Sequence, residues 1–171
     1  MHITLLRHAH SAPDRDDINR VLSNKGIEQA LNYRKRIMDI QYDLVIHSIA
    51  SRTKETAAAL LLGKETKFQQ IQSLYLPSKA EDIALVSKAI MLCQSSCLRD
   101  LMVRYPSDAW QRYADEAYNE ICSVDGFWKH EKVLIVCHGA IINLLGLKFR
   151  PEFNWLKDRY FGYVEGYSLT V

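Results

Sequence analysis

Four short stretches of this 171-residue chain place reactive side chains where a fold can use them. The first, Leu5-Leu6-Arg7-His8-Ala9-His10-Ser11, carries an Arg-His pair out of an apolar run into a polar turn. A buried strand that ends this way presents side chains at its C-terminal end, where open α/β sheets bind ligands. Arginine holds phosphate with a fork of fixed charge, and histidine can act as a nucleophile that carries a covalent intermediate. In the second stretch, Ser48 ends another apolar run, and Arg52 and Thr56 stand four residues apart on one helical face. An arginine at a helix N-terminus favours an anion. The third, Val136-Cys137-His138-Gly139, ends a buried run in His-Gly, whose glycine allows close approach of backbone or ligand. The fourth, Asp16-Asp17-Ile18-Asn19-Arg20, sets acids and an arginine after the first turn. Each has an ordinary reading: Arg52 as a solvated surface residue, His138 as a helix cap, Asp17 as a loop residue. Together, Arg7, His8, Arg52 and His138 make a pocket for a dianion, because doubly wound sheets gather strand ends along one edge.

The elements that would position these groups alternate along the chain. Strands are expected at His2–Leu6, Asp43–His47, Ile71–Leu74 and Lys132–Cys137. Helices are expected at Asn24–Ile40 behind a Ser23 N-cap, with Ile27, Ala30, Leu31, Ile37 and Met38 inward, and at Ser51–Leu62, stopping at Gly63. Further helices are expected at Ala80–Cys93, with Ile83, Ala84, Ser87, Ile90 and Met91 inward, at Asp108–Ser123, and at Ala140–Leu147. The stripe Trp110, Tyr113, Ala114, Ala117, Tyr118, Ile121 and Cys122 reads as core. Tyr160–Val164 and Tyr167–Val171 read as a closing hairpin around Glu165-Gly166. This alternation predicts a three-layer α/β/α fold, a mostly parallel sheet with helices on both faces. One domain over residues 1–171 is expected, with a helical insertion around 94–129.

Bulk properties narrow the function. At this length roughly 70% of the unfolded chain's surface can be buried. A net charge of +2, from 22 basic and 20 acidic residues without runs, is too small to imply a nucleic acid or an anionic membrane as partner, and neither is expected. No segment approaches the roughly 20 apolar residues of a membrane span, and a cytoplasmic location is expected. Cys93, Cys97, Cys122 and Cys137 lack the paired spacing of a zinc site. Cys93 and Cys97, one helical turn apart, read as small helix residues, and Cys137 as a buried strand thiol. No metal site is expected.

Taken in order, the motifs resemble those of the histidine phosphatase (phosphoglycerate-mutase-like) superfamily. Arg7-His8-Ala9-His10-Ser11 is similar to its Arg-His-Gly-x-Ser/Thr signature, Ser48-x-x-x-Arg52-x-x-x-Thr56-Ala57 to its second motif, and Val136-Cys137-His138-Gly139 to its late His-Gly. Asp17-Ile18-Asn19-Arg20-Val21-Leu22-Ser23 and Leu74-Tyr75-Leu76-Pro77-Ser78 resemble segments of the compact SixA-type phosphohistidine phosphatases. Ala9 stands where the superfamily usually has glycine, as in the Arg-His-Ala often found in the compact branch; the chain departs further with Val21 and Ile49 for prolines, and Gly139 where the compact branch commonly has asparagine.

The resemblance implies a phosphatase that needs no metal or cofactor and acts on a phosphoprotein, such as a phosphohistidine protein, or on a small phosphomonoester. His8 would become phosphohistidine. Arg7, Arg52 and His138 would hold the phosphoryl oxygens, with Ser11 and His10 as further binding residues. Asp17 matches an acid position of the compact branch, and Glu81 is the alternative acid. A phosphotransferase of the mutase kind and an inactive phosphate-binding module are the competing readings.

Overall fold

The computed structural model describes residues 1–93 and 96–171. Its strands are β1 (His2–Arg7), β2 (Leu44–Ser48), β3 (Lys67–Ile71), β4 (Lys132–Cys137) and β5 (Gly166–Thr170). They lie in the order β3-β2-β4-β1-β5. The first four run parallel, and β5 pairs antiparallel with β1. The helices are α1 (Asn24–Ile37), α2 (Ser51–Leu60), α3 (Ala80–Leu92), α4 (Leu98–Arg104), α5 (Ala109–Cys122) and α6 (Gly139–Phe149). None of the described helices is long and apolar enough to cross a membrane.

Alternation along the strands sorts the core into two layers. Ile3, Leu5, Leu44, Ile46, Val133, Ile135 and Cys137 pack with residues of α3 to α6 such as Val86, Leu101, Trp110 and Ile141. Leu6, Val45, Leu134 and Val136 face the other way, onto Ile37 of α1 and Leu60 of α2. Burying each such side chain contributes about 1.5–3 kcal/mol. A one-residue slip would exchange the faces, so the apolar pattern fixes the register. The result is the expected three-layer α/β/α fold.

The structure departs from the sequence reading in several places. No hairpin forms at the C-terminus. β5 joins the edge of β1, with Gly166 opposite Leu6 and Leu169 opposite Ile3, and 160–164 crosses the end of β1 instead. β3 begins earlier than expected because it is an edge strand whose exposed Lys67, Phe68 and Gln70 show no apolar run. Helix α1 buries Gly26, Ala30 and Ile37 and leaves Ile27, Leu31 and Met38 exposed. Helix α3 buries Asp82, Val86 and Ala89 and exposes Ile90 and Met91. The buried Asp82 carboxylate is paired with the half-exposed Arg112 of α5, whose Nε donates to it at 2.9 Å, and that pairing turns the helix away from its apolar stripe. Cys93 caps α3 and Cys97 precedes α4, so the two do not share a helix. Within the expected insertion, α4, α5 and a 3₁₀ turn at Phe127–Lys129 are helical. Residues 94 and 95, its start, lie outside the described residues.

One close approach ties α1 to the loop after β1. Ser23 caps α1 by accepting from the Gly26 amide at 3.1 Å, and its own amide donates to the His10 carbonyl at 3.1 Å. A Cβ on Gly26 would stand 1.9 Å from that carbonyl oxygen. Alanine ordinarily gains about 1 kcal/mol over glycine inside a helix, but here it would collide with backbone. Gly26→Ala is therefore expected to lower the unfolding free energy by about 1–3 kcal/mol in urea denaturation. An unchanged or higher stability would show that the loop yields at no cost.

Candidate active site

The strand order places the ends of β2, β4 and β1 side by side. In register, Arg7 lies opposite Cys137 and His47 opposite Val136. His8, His138 and Ser48 therefore emerge at one level of the sheet. The His8 amide donates to the Cys137 carbonyl at 3.0 Å, and the two imidazole rings meet edge to face at 5.0 Å.

His8 is buried, and both ring nitrogens have partners. Nδ1 lies 2.7 Å from the Ala9 carbonyl oxygen, an acceptor only, so Nδ1 carries the proton. That leaves a lone pair on Nε2, which accepts from Arg52 Nε at 3.2 Å. Burial, followed by the charge of Arg52, pushes the imidazole from its ordinary 6.5 down to about 3. His138 caps α6 and its Nε2 lies 2.8 Å from Ser48 Oγ. Burial, with His8 and the arginines beside it, holds it well below the usual histidine range. Both rings are neutral at pH 7, so His138 contributes a hydrogen bond in the free protein and the fixed charge falls to the arginines.

Arg52, on the first turn of α2, is almost wholly buried. Besides its contact with His8, it donates through Nη1 to the Asp17 carbonyl and through Nη2 to Asp17 Oδ2 at 3.0 Å. Asp17 also accepts from the Tyr75 hydroxyl at 2.6 Å and pairs with Arg20 at 3.1 Å. Burial pushes the Asp17 carboxyl upward, but the Tyr75 hydrogen bond and the charges of Arg52 and Arg20 outweigh it, and the group titrates below the usual carboxylate range. Arg7 donates from Nη1 to Tyr160 Oη at 2.6 Å and to the Phe161 carbonyl at 2.7 Å. Its Nε is buried with no hydrogen-bond partner, an unmet donor that an anion would satisfy. Thr56 couples the two motifs: its hydroxyl donates to the Arg52 carbonyl at 2.6 Å and accepts from the Ala9 amide at 3.0 Å.

The structure thus brings together Arg7, His8, Arg52, His138 and Asp17. Other expected residues are placed differently. His10 is a tie to α1, its amide donating to Gln29 Oε1 at 3.0 Å and its Nδ1 lying 2.7 Å from Ser23 Oγ. Ser11 forms an isolated bridge with Leu22. Glu81 is exposed on the first turn of α3, where its charge acts on Arg112. A Cβ on Gly139 would meet Arg7 only at 3.8 Å, an ordinary contact, so no protein atom demands glycine there. Tyr75 enters the sequence reading only within the Leu74–Ser78 resemblance, with no role assigned, and Tyr160 and Tyr163 only within an expected strand. The only signal for the last two was the Tyr160-x-x-Tyr163 spacing, which a strand pattern absorbed. Among the described residues no group of histidine, cysteine and acidic side chains could hold a metal.

Residues 3–75, which include Arg7, His8, Asp17 and Arg52, match the family model of the histidine phosphatase superfamily (branch 1). No curated protein matches the chain. Among solved structures, the alpha-ribazole phosphatase from Shigella flexneri is 17% identical with a TM-score of 0.68, covering 100% of this chain and 91% of that one. A phosphoglycerate mutase from Bacillus anthracis str. Sterne is 18% identical with a TM-score of 0.66, covering 98% and 86%. The protein histidine phosphatase SixA complexed with tungstate is 14% identical with a TM-score of 0.64, covering 100% and 88%. The segment that carries Arg7, His8 and Arg52 thus matches the family model of the histidine phosphatase superfamily, and the fold is shared along the whole chain with these phosphatases and mutase.

Proposed function

We propose that the chain is a metal-independent phosphatase that works through a phosphohistidine on His8, hydrolysing a phosphohistidine protein or a small phosphomonoester. The observation that carries this reading is the tautomer of His8. Nδ1–H is spent on the Ala9 carbonyl, so Nε2 holds its lone pair beside the guanidinium of Arg52. Nε2 attacks phosphorus, the N–P bond forms, and the bond from phosphorus to the leaving atom breaks. Arg7 and Arg52 stabilise the charge that spreads over the equatorial oxygens, and His138 adds a hydrogen bond. Water then attacks phosphorus, the N–P bond breaks, and orthophosphate leaves with a proton lost to a nearby base.

Asp17 is the acid of this scheme, and its charge state supports the role only once substrate is bound. In the free protein it is a carboxylate held by Tyr75, Arg52 and Arg20. A phosphoryl dianion arriving at Arg52 adds like charge beside it and draws off its partner, and both effects raise its pKa.

His8→Ala is expected to abolish release of phosphate from p-nitrophenyl phosphate without added metal while the protein stays folded. Transfer to an added alcohol rather than to water would reassign the chain as a mutase. Arg52→Ala should weaken orthophosphate binding by about 1.5–3 kcal/mol. Asp17→Asn should slow alkyl phosphates, whose leaving groups need a proton, far more than p-nitrophenyl phosphate. If Glu81→Gln shows that selectivity instead, the acid is Glu81.

The neutral imidazoles give a pH signature. Below the ordinary histidine value of 6.5 the unfolded chain takes up protons that folded His8 refuses until about pH 3. Stability is therefore full above that upper value and falls as the pH drops through the window. In imidazole NMR spectra His8 is expected to show no titration between pH 8 and 5. A midpoint near 6.5 would refute the buried neutral nucleophile.

A further inference from the structure

The phosphoryl pocket fixes what is transferred, and the rings around it bear on what the phosphoryl group leaves behind. Tyr75, His138, His8, Tyr163 and His10 form an unbroken row of ring contacts, with centroids 5.5, 5.0, 5.7 and 5.2 Å apart in that order. The nucleophile is at its centre. Tyr75 contacts His138 and Tyr163 contacts His8, and no ring contact joins the two tyrosines among the described residues.

Tyr163 is 38% exposed, so burial does not hold its ring there. The backbone does. Among the described residues Val164 is the only non-glycine with a left-handed conformation, at φ +50°. A β-branched residue avoids that region, and such strain persists only where the surroundings over-determine it. Here the Val164 amide donates to the Arg7 carbonyl at 3.1 Å and the Arg7 amide to the Glu165 carbonyl at 2.9 Å. The valine side chain packs on the apolar clusters beneath α1 and α2. The strained turn presents the Tyr163 ring to His8, with the Arg7 guanidinium carbon 4.7 Å from the ring centroid. Against His138, Tyr75 is pinned by its hydroxyl, which donates to Asp17 at 2.6 Å.

We propose that Tyr163 and Tyr75 are specificity-determining residues that clamp a flat aromatic or heteroaromatic leaving group, so that the substrate carries its phosphoryl group on a ring. The proposal rests on the phosphatase reading above. A planar ring gains stacked or edge-to-face contact with the tyrosines, whereas a saturated group of the same bulk gains burial alone. The bonds made and broken are those of the proposed hydrolysis, and the clamp supplies binding.

Phosphonates test this without turnover or leaving-group effects. Calorimetry would compare phenylphosphonate with cyclohexylphosphonate, and with orthophosphate, on the wild type, Tyr163→Leu and Tyr75→Leu. In the wild type the phenyl compound is expected to bind roughly tenfold tighter than the cyclohexyl one. In each variant that ratio should fall towards one, whatever happens to the absolute affinities. A wild-type ratio near one, or a ratio preserved in both variants, overturns the clamp. If orthophosphate itself fails to bind the wild type, the phosphatase reading fails. Tight orthophosphate with no ring preference sinks the clamp alone. A peptide carrying phosphonomethylphenylalanine separates the sources of the ring. Tighter binding than phenylphosphonate places it on a protein and equal binding places it on a small molecule, and both accord with the clamp.

Discussion

The site depends on the parallel register of β1 against β4. Pairing Arg7 with Cys137 puts His8 and His138 one step beyond the same rung, and the His8 amide closes that step on the Cys137 carbonyl. Nothing catalytic selects this register. Leu6, Leu134 and Val136 must face α1 and α2 while Ile3, Leu5, Val133 and Ile135 face α3 to α6, and a shift of one residue would reverse every one of them. The hydrophobic pattern that fills two cores also sets the two imidazoles face to edge.

That placement has an electrostatic consequence. Two histidines and three arginines converge where little water remains, and the histidines yield by staying neutral. A neutral His8 keeps its lone pair, which is what a nucleophile needs, and the positive charge resides on Arg7, Arg20 and Arg52. Asp17 is the acid that pairs with two of these arginines. In the proposed mechanism an entering phosphoryl group meets Arg52 already engaged. Its binding is an exchange of carboxylate for phosphoryl oxygen rather than the filling of an empty fork, which tempers the hold on the product.

Strands with both faces buried were legible, because Leu-Val-Ile and Val-Leu-Ile-Val runs have one use in a chain of this length. The groups at their ends were legible for the same reason. What escaped the sequence has common physical causes. Helix faces were misjudged where something other than apolar area sets the rotation: a carbonyl pressed against Gly26 in α1, and the Asp82–Arg112 pair in α3. The edge strand β3 was misplaced because exposure removes the pattern. Tyr160 and Tyr163 were hidden because they lie on a crossing segment whose shape comes from long-range hydrogen bonds to β1, which no local periodicity encodes.

The alanine at position 9, where the wider superfamily signature has glycine, is accommodated by the same packing. The backbone there is not left-handed, so a side chain adds no torsional cost. Ala9 is fully buried against Leu22 and Ala30, and its amide is held by Thr56. A methyl group fits because α1 offers a small residue at Ala30 and comes close enough, through Gly26, to cover it. The loop that carries His8, the nucleophile of the proposed mechanism, is thereby fixed from β4, α1 and α2 at once. In the proposed mechanism, rigidity of this kind would let a single imidazole keep its orientation through two successive in-line displacements.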